Sequence, residues 1–138
     1  MVTMPSRELR RDRVQALLTA NGSWQQVYNY QPKSFDQQSP VATVHNGPVR
    51  TIDEAFGGQA MLQLGVVVTN FVKRDDAADA EDTLDTLLQT VVQVIADNQD
   101  DSLWEYVEVD DTAPDYVPVD GVPYRIEIIP LWLTVFMT

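Results

Sequence analysis

Apolar residues recur at two spacings along the chain, one typical of helices and one typical of strands. In residues 6–21 they recur every three or four positions, which predicts an amphipathic helix. The apolar stripe consists of Leu9, Val14, Leu17 and Leu18. Ser6 suits the N-cap, and Gly22 suits a left-handed residue just after the helix end. The chain is therefore expected to open with a helix.

Residues 75–98 carry the clearest helical pattern in the sequence. One apolar face consists of Leu84, Leu87, Leu88, Val91, Val92 and Ile95. Acidic residues are concentrated at its N-terminal end, where the helix macrodipole favours negative charge. These acids therefore need no metal ion to explain them.

Four other segments are predicted strands, because they alternate between apolar and polar residues or are rich in β-branched ones. They are residues 24–30, 41–45, 61–72 and 103–109. Asn46-Gly47-Pro48 predicts a turn, and residues 47–59 and 110–121 predict long loops, the second ending in a hairpin turn at Asp120-Gly121. The element order predicts an α+β fold, a mainly antiparallel sheet of about four to five strands packed against two helices. We expect one domain spanning residues 1–138.

The last strand, which begins at residue 122, raises the question of what covers it. Its even-numbered residues are apolar almost throughout, so we expect the helices to cover that face. Its odd-numbered residues are polar at Arg125 and Glu127 and apolar from Ile129 onward. An exposed apolar run of this length promotes aggregation, so the second face needs a cover too.

Pro130 narrows the possible answers, because a residue without an N–H fits an edge strand or a β-bulge better than a fully paired strand. Either the strand kinks at Pro130 and one face stays in the core, or it projects and packs against another copy of the protein. Because only two helices are available to cover the sheet, we favour burial between subunits. The candidate contact residues are Ile129, Leu131, Leu133 and Val135.

Charge is divided unevenly along the chain. Residues 1–50 hold six Lys/Arg and three Asp/Glu, whereas the rest holds three Lys/Arg and eighteen Asp/Glu. So acidic a surface disfavours tight binding of nucleic acid. Four of the basic residues cluster on the first helix: Arg7, Arg10, Arg11 and Arg13. They form either a solvated helix face or a contact with an acidic neighbouring chain.

Composition and motifs give no positive sign of catalysis. Without cysteine the chain has no disulfide or thiolate metal site, and no apolar stretch approaches the ~20 residues that span a bilayer. We expect a soluble protein made in a cytoplasm, without a signal peptide. His45 is the only histidine and is interpreted as structural, and the tryptophans are assigned to packing before any ligand pocket. Acidic turns in residues 110–120 are a weak candidate for calcium.

The order of these elements resembles the tail terminator (tail completion) proteins of long-tailed bacteriophages. The resemblance rests on an arginine-rich first helix, a tyrosine-bearing strand and four later segments, and it covers nearly the whole chain. Those segments are QLGVVVTNF, AADAEDTLDTLLQTVVQVI, LWEYVEV and DGVPYRIEIIPLWLTV. These are patterns of residue type, so no residue role is transferred.

The resemblance implies a structural virion protein that is not an enzyme and has no cofactor. It implies a homo-oligomeric ring, commonly a hexamer, that caps the tail tube, ends its growth and meets the head-completion or connector protein. DNA would pass through the lumen without specific binding, and the site of action would be the head–tail junction of a virion assembled in the host cytoplasm. Phe56, in the predicted loop of residues 47–59, is a further candidate contact. The alternatives are another head–tail connector component, a tail tube subunit, or a small cellular α+β ligand-binding protein or enzyme.

Overall fold

The computed structural model describes residues 5–56, 59–74 and 77–137, without the side chains of residues 52–56, 59 and 77. Within that part, two helices pack against a six-stranded, mostly antiparallel sheet, which confirms the expected α+β fold with slightly more strands than expected. The helices are α1 (Arg7–Asn21) and α2 (Ala77–Asp97). The strands are β1 (Gln26–Tyr28), β2 (Val41–Phe56), β3 (Gln59–Lys73), β4 (Tyr106–Val109), β5 (Ala113–Val119) and β6 (Val122–Phe136).

Helix α1 begins as the sequence predicts and ends differently. The Ser6 hydroxyl accepts a hydrogen bond from the Leu9 amide at 3.2 Å. The Leu9 side chain is 54% exposed, so it does not belong to the buried stripe. Gly22 has extended backbone, φ −123° and ψ 175°, and not the predicted left-handed conformation. Glycine is needed there for another reason, because a Cβ would overlap the ring of Trp24.

The strands lie in the order β1-β2-β3-β6-β4, and β5 also pairs with β6. Among the described strands, only the short β1–β2 pair is parallel. The outer side of β6 is shared by two strands, because β4 pairs with residues 131–134 and β5 pairs with residues 122–128. Pro130 lies between these two stretches, and its carbonyl accepts a hydrogen bond from the Asp110 amide at 2.9 Å. Its missing N–H faces that same junction, so β6 passes through Pro130 without losing a ladder bond to β3.

Most of each predicted loop, residues 47–59 and 110–121, is strand, and residues 57–58 of the first lie outside the described residues. Residues 47–56 continue β2, and the predicted turn at Asn46-Gly47-Pro48 is a register shift between Asn46 and Val49. A β-bulge absorbs one extra residue without ending a strand, which is why the glycine and proline there misled the prediction. Residues 113–119 form β5, and only the hairpin turn at Asp120-Gly121 is confirmed, with φ of 50° and 76°. The ends of other elements also differ, since residues 24–25, 29–30 and 103–105 were predicted to be in strands and are not.

The helices cover the face of β6 opposite to the predicted one. Its odd-numbered residues from 129 to 135 join a core formed by both helices and the neighbouring strands. Among the even-numbered residues, Tyr124 and Ile126 are buried by Phe35 from the segment between β1 and β2. The remaining even-numbered residues lie on the open face of the sheet, the face that neither helix covers.

Candidate assembly surfaces

The four β6 residues predicted to contact another subunit are core residues. Ile129 and Leu133 are fully buried, Leu131 is 1% exposed and Val135 is 2% exposed, all within one chain. Their strand stays in register with β3 from Tyr124 to Phe136, so Pro130 introduces neither a bulge nor a swap of faces. The inference of burial between subunits is therefore wrong, because the two helices suffice to cover this face. These residues give no physical support for an oligomer.

The four arginines of α1 are half-buried and have partners inside the chain. Arg7 donates to the Gly47 carbonyl at 2.6 Å, and Arg11 donates to the Asn46 side-chain oxygen at 2.8 Å. Arg10 donates to the Leu103 carbonyl at 2.9 Å. Burial lowers the pKa of the Arg10 guanidinium. These bonds tie the helix to the β2 bulge on one side and to the segment before β4 on the other.

Three of these four arginines bond to neutral groups. The acceptors of Arg7, Arg10 and Arg11 are neutral oxygens, and among the described residues only Arg13 forms an ion pair, with Asp101 at 3.0 Å. The sequence prediction of a contact with an acidic neighbour stays a prediction. Any such contact would use arginines whose positions are already fixed by the subunit.

The opposite end of the sheet is acidic. Residues 105–120, which contain β4 and β5, hold six Asp/Glu and no Lys or Arg. All of those acids except the half-buried Glu108 are exposed. β4 and β5 lie beyond β6, and Arg7 and Arg11 are held at β2, beyond β3, so these two arginines and the acids of residues 105–120 stand at opposite ends of the sheet. Arg10 and Arg13 instead bond to the segment before β4.

The open face of the sheet carries a cluster of polar and aromatic groups that the sequence did not reveal. The Arg50 guanidinium stacks 3.9 Å from the centre of the Trp132 ring and lies 3.6 Å from the Glu108 carboxylate. Gln63 joins the cluster by accepting from Arg50 and donating to Glu108. Four strands contribute to it, so residues up to 82 positions apart in sequence meet there only through the register.

Asp110 fixes the other side of the Trp132 ring. The indole Nε1–H donates to its carboxylate at 2.9 Å. This bond, followed by one from the Asp111 amide, lowers the pKa of Asp110 below its usual range. The exposed Asp110 carboxylate thus orients the Trp132 indole, on which the Arg50 guanidinium stacks.

An open cavity of about 430 Å³ lies on the same sheet face, between the β1–β2 segment and the β5–β6 hairpin. Phe71, Ile126 and Ile128 line it, with Lys33 and Asp120 among the polar lining residues. Neither His45 nor any tryptophan lines it. Trp24 and Trp104 instead donate to Asn70 and to the Asn98 carbonyl, as expected of packing residues.

Several sequence expectations concern residues that the structure describes only in part. Phe56 lies at the end of β2 and pairs with Gln59 along the backbone, but its side chain is outside the described residues. In residues 5–56, 59–74 and 77–137, no group of three or more His, Asp or Glu is placed to hold a metal ion. Over the same residues, no helix combines the length and apolar character needed to cross a membrane.

No protein-family model matches the sequence, and no curated protein is significantly similar to it. Function is therefore inferred from the surfaces of the chain itself and from the resemblance in element order.

Proposed function

We propose that the chain is a structural, non-enzymatic subunit of a ring that caps the tail tube of a long-tailed bacteriophage. In this role it ends tube elongation and presents a surface for head–tail joining. The ring is a homo-oligomer, a hexamer by the family resemblance, with the tail tube protein on one side and the head-completion or connector protein on the other. DNA passes through its lumen without specific binding, at the head–tail junction of the virion.

One observation carries the proposal: opposite charges stand at opposite ends of the sheet. A contact that joins one end of a subunit to the other end of the next is head-to-tail; repeated copies form a ring if the rotation between neighbours closes, and an open filament if it does not. Arg7 and Arg11 supply positive charge at the β2 end, and residues 105–120 supply negative charge at the β4–β5 end. Complementary charge steers association and suppresses contacts between like ends.

The first experiment is negative-stain electron microscopy of the purified protein, with light scattering across a dilution series. We expect closed rings with an open centre. A protein that stays monomeric at every concentration, including with tail tube protein from the same genome, would refute the proposal. Rings that fix the length of growing tubes identify a terminator, whereas rings that bind only the connector identify another neck component.

Charge reversal directly tests the role of the opposite charges at the two ends of the sheet. Glu105 and Asp111 are exposed, and no hydrogen bond from another residue to either carboxylate is seen in the described part of the chain. We expect the double variant Glu105→Lys/Asp111→Lys to assemble about tenfold less tightly, with a smaller loss at high salt because ions screen exposed charges.

The matched control is Asp82→Lys/Asp85→Lys on the exposed face of α2, which changes the net charge equally in the helix layer. If both variants weaken assembly to the same extent, overall charge and not the end of the sheet controls association.

A further inference from the structure

The outer edge of β2 is open over most of its length. β1 pairs only with residues 41–43, and no other described strand lies on that side. Asn46, Pro48, Arg50 and Thr51 are all exposed. An unpaired strand edge presents main-chain N–H and C=O groups to which another chain can add a strand.

The register shows which groups point outward. The Arg74 amide donates to the Pro123 carbonyl, so even-numbered residues of β3 face β6 and odd-numbered residues face β2. After the bulge, Arg50 pairs with Gln63 and therefore faces β3. The neighbouring residues Val49 and Thr51 consequently point their N–H and C=O groups away from the sheet.

At the other end of the sheet, the edge of β5 is closed to strand addition. Because Pro123 faces β3, its partner Pro118 faces outward, and so do Tyr116 and Pro114. The two prolines have no N–H, and the Tyr116 amide donates to the Asp115 carboxylate at 2.8 Å. β5 therefore offers no outward donor, a device that keeps sheet edges from pairing.

β4 differs from β5 in this respect. The Asp110 amide donates to the Pro130 carbonyl, so Asp110 faces β6, whereas Val107 and Val109 point their main-chain groups outward. No described strand lies beyond β4. The exposed acids Glu105 and Asp111 flank this four-residue edge.

We propose that subunits join by adding β4 of one copy to the open edge of β2, at residues 49–52, of the next copy. The inference rests on the proposed ring and specifies its contact. β2 and β4 run in opposite directions within one sheet, so neighbours standing in the same orientation pair these strands antiparallel. Arg7 and Arg11, held at the bulge next to residue 49, then stand near the acids that flank β4.

Proline substitution at Thr51 tests the hydrogen-bonded edge. Since this N–H points outward, Thr51→Pro removes a donor to the neighbour and leaves the bonds to β3 in place. We expect the concentration for half-assembly to rise about tenfold or more, while Thr51→Ala assembles as the wild type does. Circular dichroism and the urea midpoint of the dilute monomer report whether the fold is intact.

Chemical cross-linking identifies the partner strand, and the absence of native cysteine makes it specific. A Thr51→Cys chain mixed with an Asp111→Cys chain is treated with a short bismaleimide. We expect cross-linked dimers only in the mixture, and covalent ladders from the double variant Thr51→Cys/Asp111→Cys. Thr51→Cys mixed with Asp82→Cys, on α2, serves as the control.

The outcomes separate this contact from the ring itself. Rings that persist in Thr51→Pro and give no Thr51–Asp111 cross-link overturn the proposed contact and leave the ring standing. Cross-links accompanied by open filaments would support the β2–β4 contact and refute the closed ring that caps the tail tube. Dimers from Thr51→Cys alone would show β2 pairing with β2, which overturns the proposal in favour of a twofold dimer.

Discussion

Replacing Leu133 by alanine distinguishes a core residue from a subunit contact. Leu133 is fully buried, and it pairs with Leu64 of β3 on one side and with Val107 of β4 on the other. Removing three carbons costs about 2.4 kcal/mol in transfer free energy, at about 0.8 kcal/mol each. Because paired strands on both sides prevent the site from collapsing, a cavity remains, and we expect a total loss of about 4 kcal/mol in the free energy of unfolding.

The assay is urea unfolding followed by tryptophan fluorescence at two protein concentrations tenfold apart. A core residue lowers the unfolding midpoint equally at both concentrations, with an unchanged m-value. Leu9→Ala is the matched control, since the same change at a side chain 54% exposed should cost less than about 0.5 kcal/mol. A loss below about 1 kcal/mol for Leu133→Ala, or one that appears only at the higher concentration, would refute the assignment to the core.

Two further predictions concern the open face and the bulge. The pKa of Asp110 is lowered, so its carboxylate stays ionised at and above the ordinary carboxyl pKa near 3.9 and is protonated only at lower pH. The Trp132 indole N–H resonance should therefore shift only below that pH, where the bond to the ionised carboxylate and the stability it contributes are lost. In Asp110→Asn the shift should disappear, and a midpoint above pH 4 in the wild type would contradict the bond. Gly65→Ala should destabilise the fold by about 1–3 kcal/mol in thermal unfolding, because its Cβ would overlap the Pro48 carbonyl, and an unchanged melting temperature would contradict the close packing at the bulge.

The parts of the fold that the sequence predicted are those governed by local physics. The periodicity of residues 75–98 located α2, and Ser6 located the start of α1, because spacing and capping depend on neighbours in sequence. β3 was predicted for the same reason, since its β-branched run needs no knowledge of partners.

The errors share a physical cause: they depend on long-range pairing. A proline predicts the end of a strand unless its nitrogen is known to point away from the paired strand. The nitrogens of Pro114, Pro118 and Pro130 all point to positions where no ladder hydrogen bond is needed. Local sequence cannot show which face of β6 the helices select, because that choice depends on the register with β3. The prediction that Leu133 and its neighbours contact another subunit was wrong for this reason. It assumed that two helices are too few to cover the sheet.

The site was less predictable than the fold. The arginines of α1 were identified as a group from their spacing, but their acceptors at Gly47 and Leu103 lie 40 and 93 positions away. Nothing in the sequence around Arg50 indicates a tryptophan partner in β6. The one usable signal was the absence of basic residues from 105 to 120, which marks an acidic surface wherever that segment lies.

The junction at Pro130 affects which part of the sheet unfolds locally. β4 and β5 pair with separate stretches of β6. The β5–β6 hairpin can therefore open locally while the rest of β6 stays packed against the helices. Amide protons near the hairpin should therefore exchange with deuterium faster than those opposite β4. Local opening of the β5–β6 hairpin would thus leave the pairing between β4 and β6 in place.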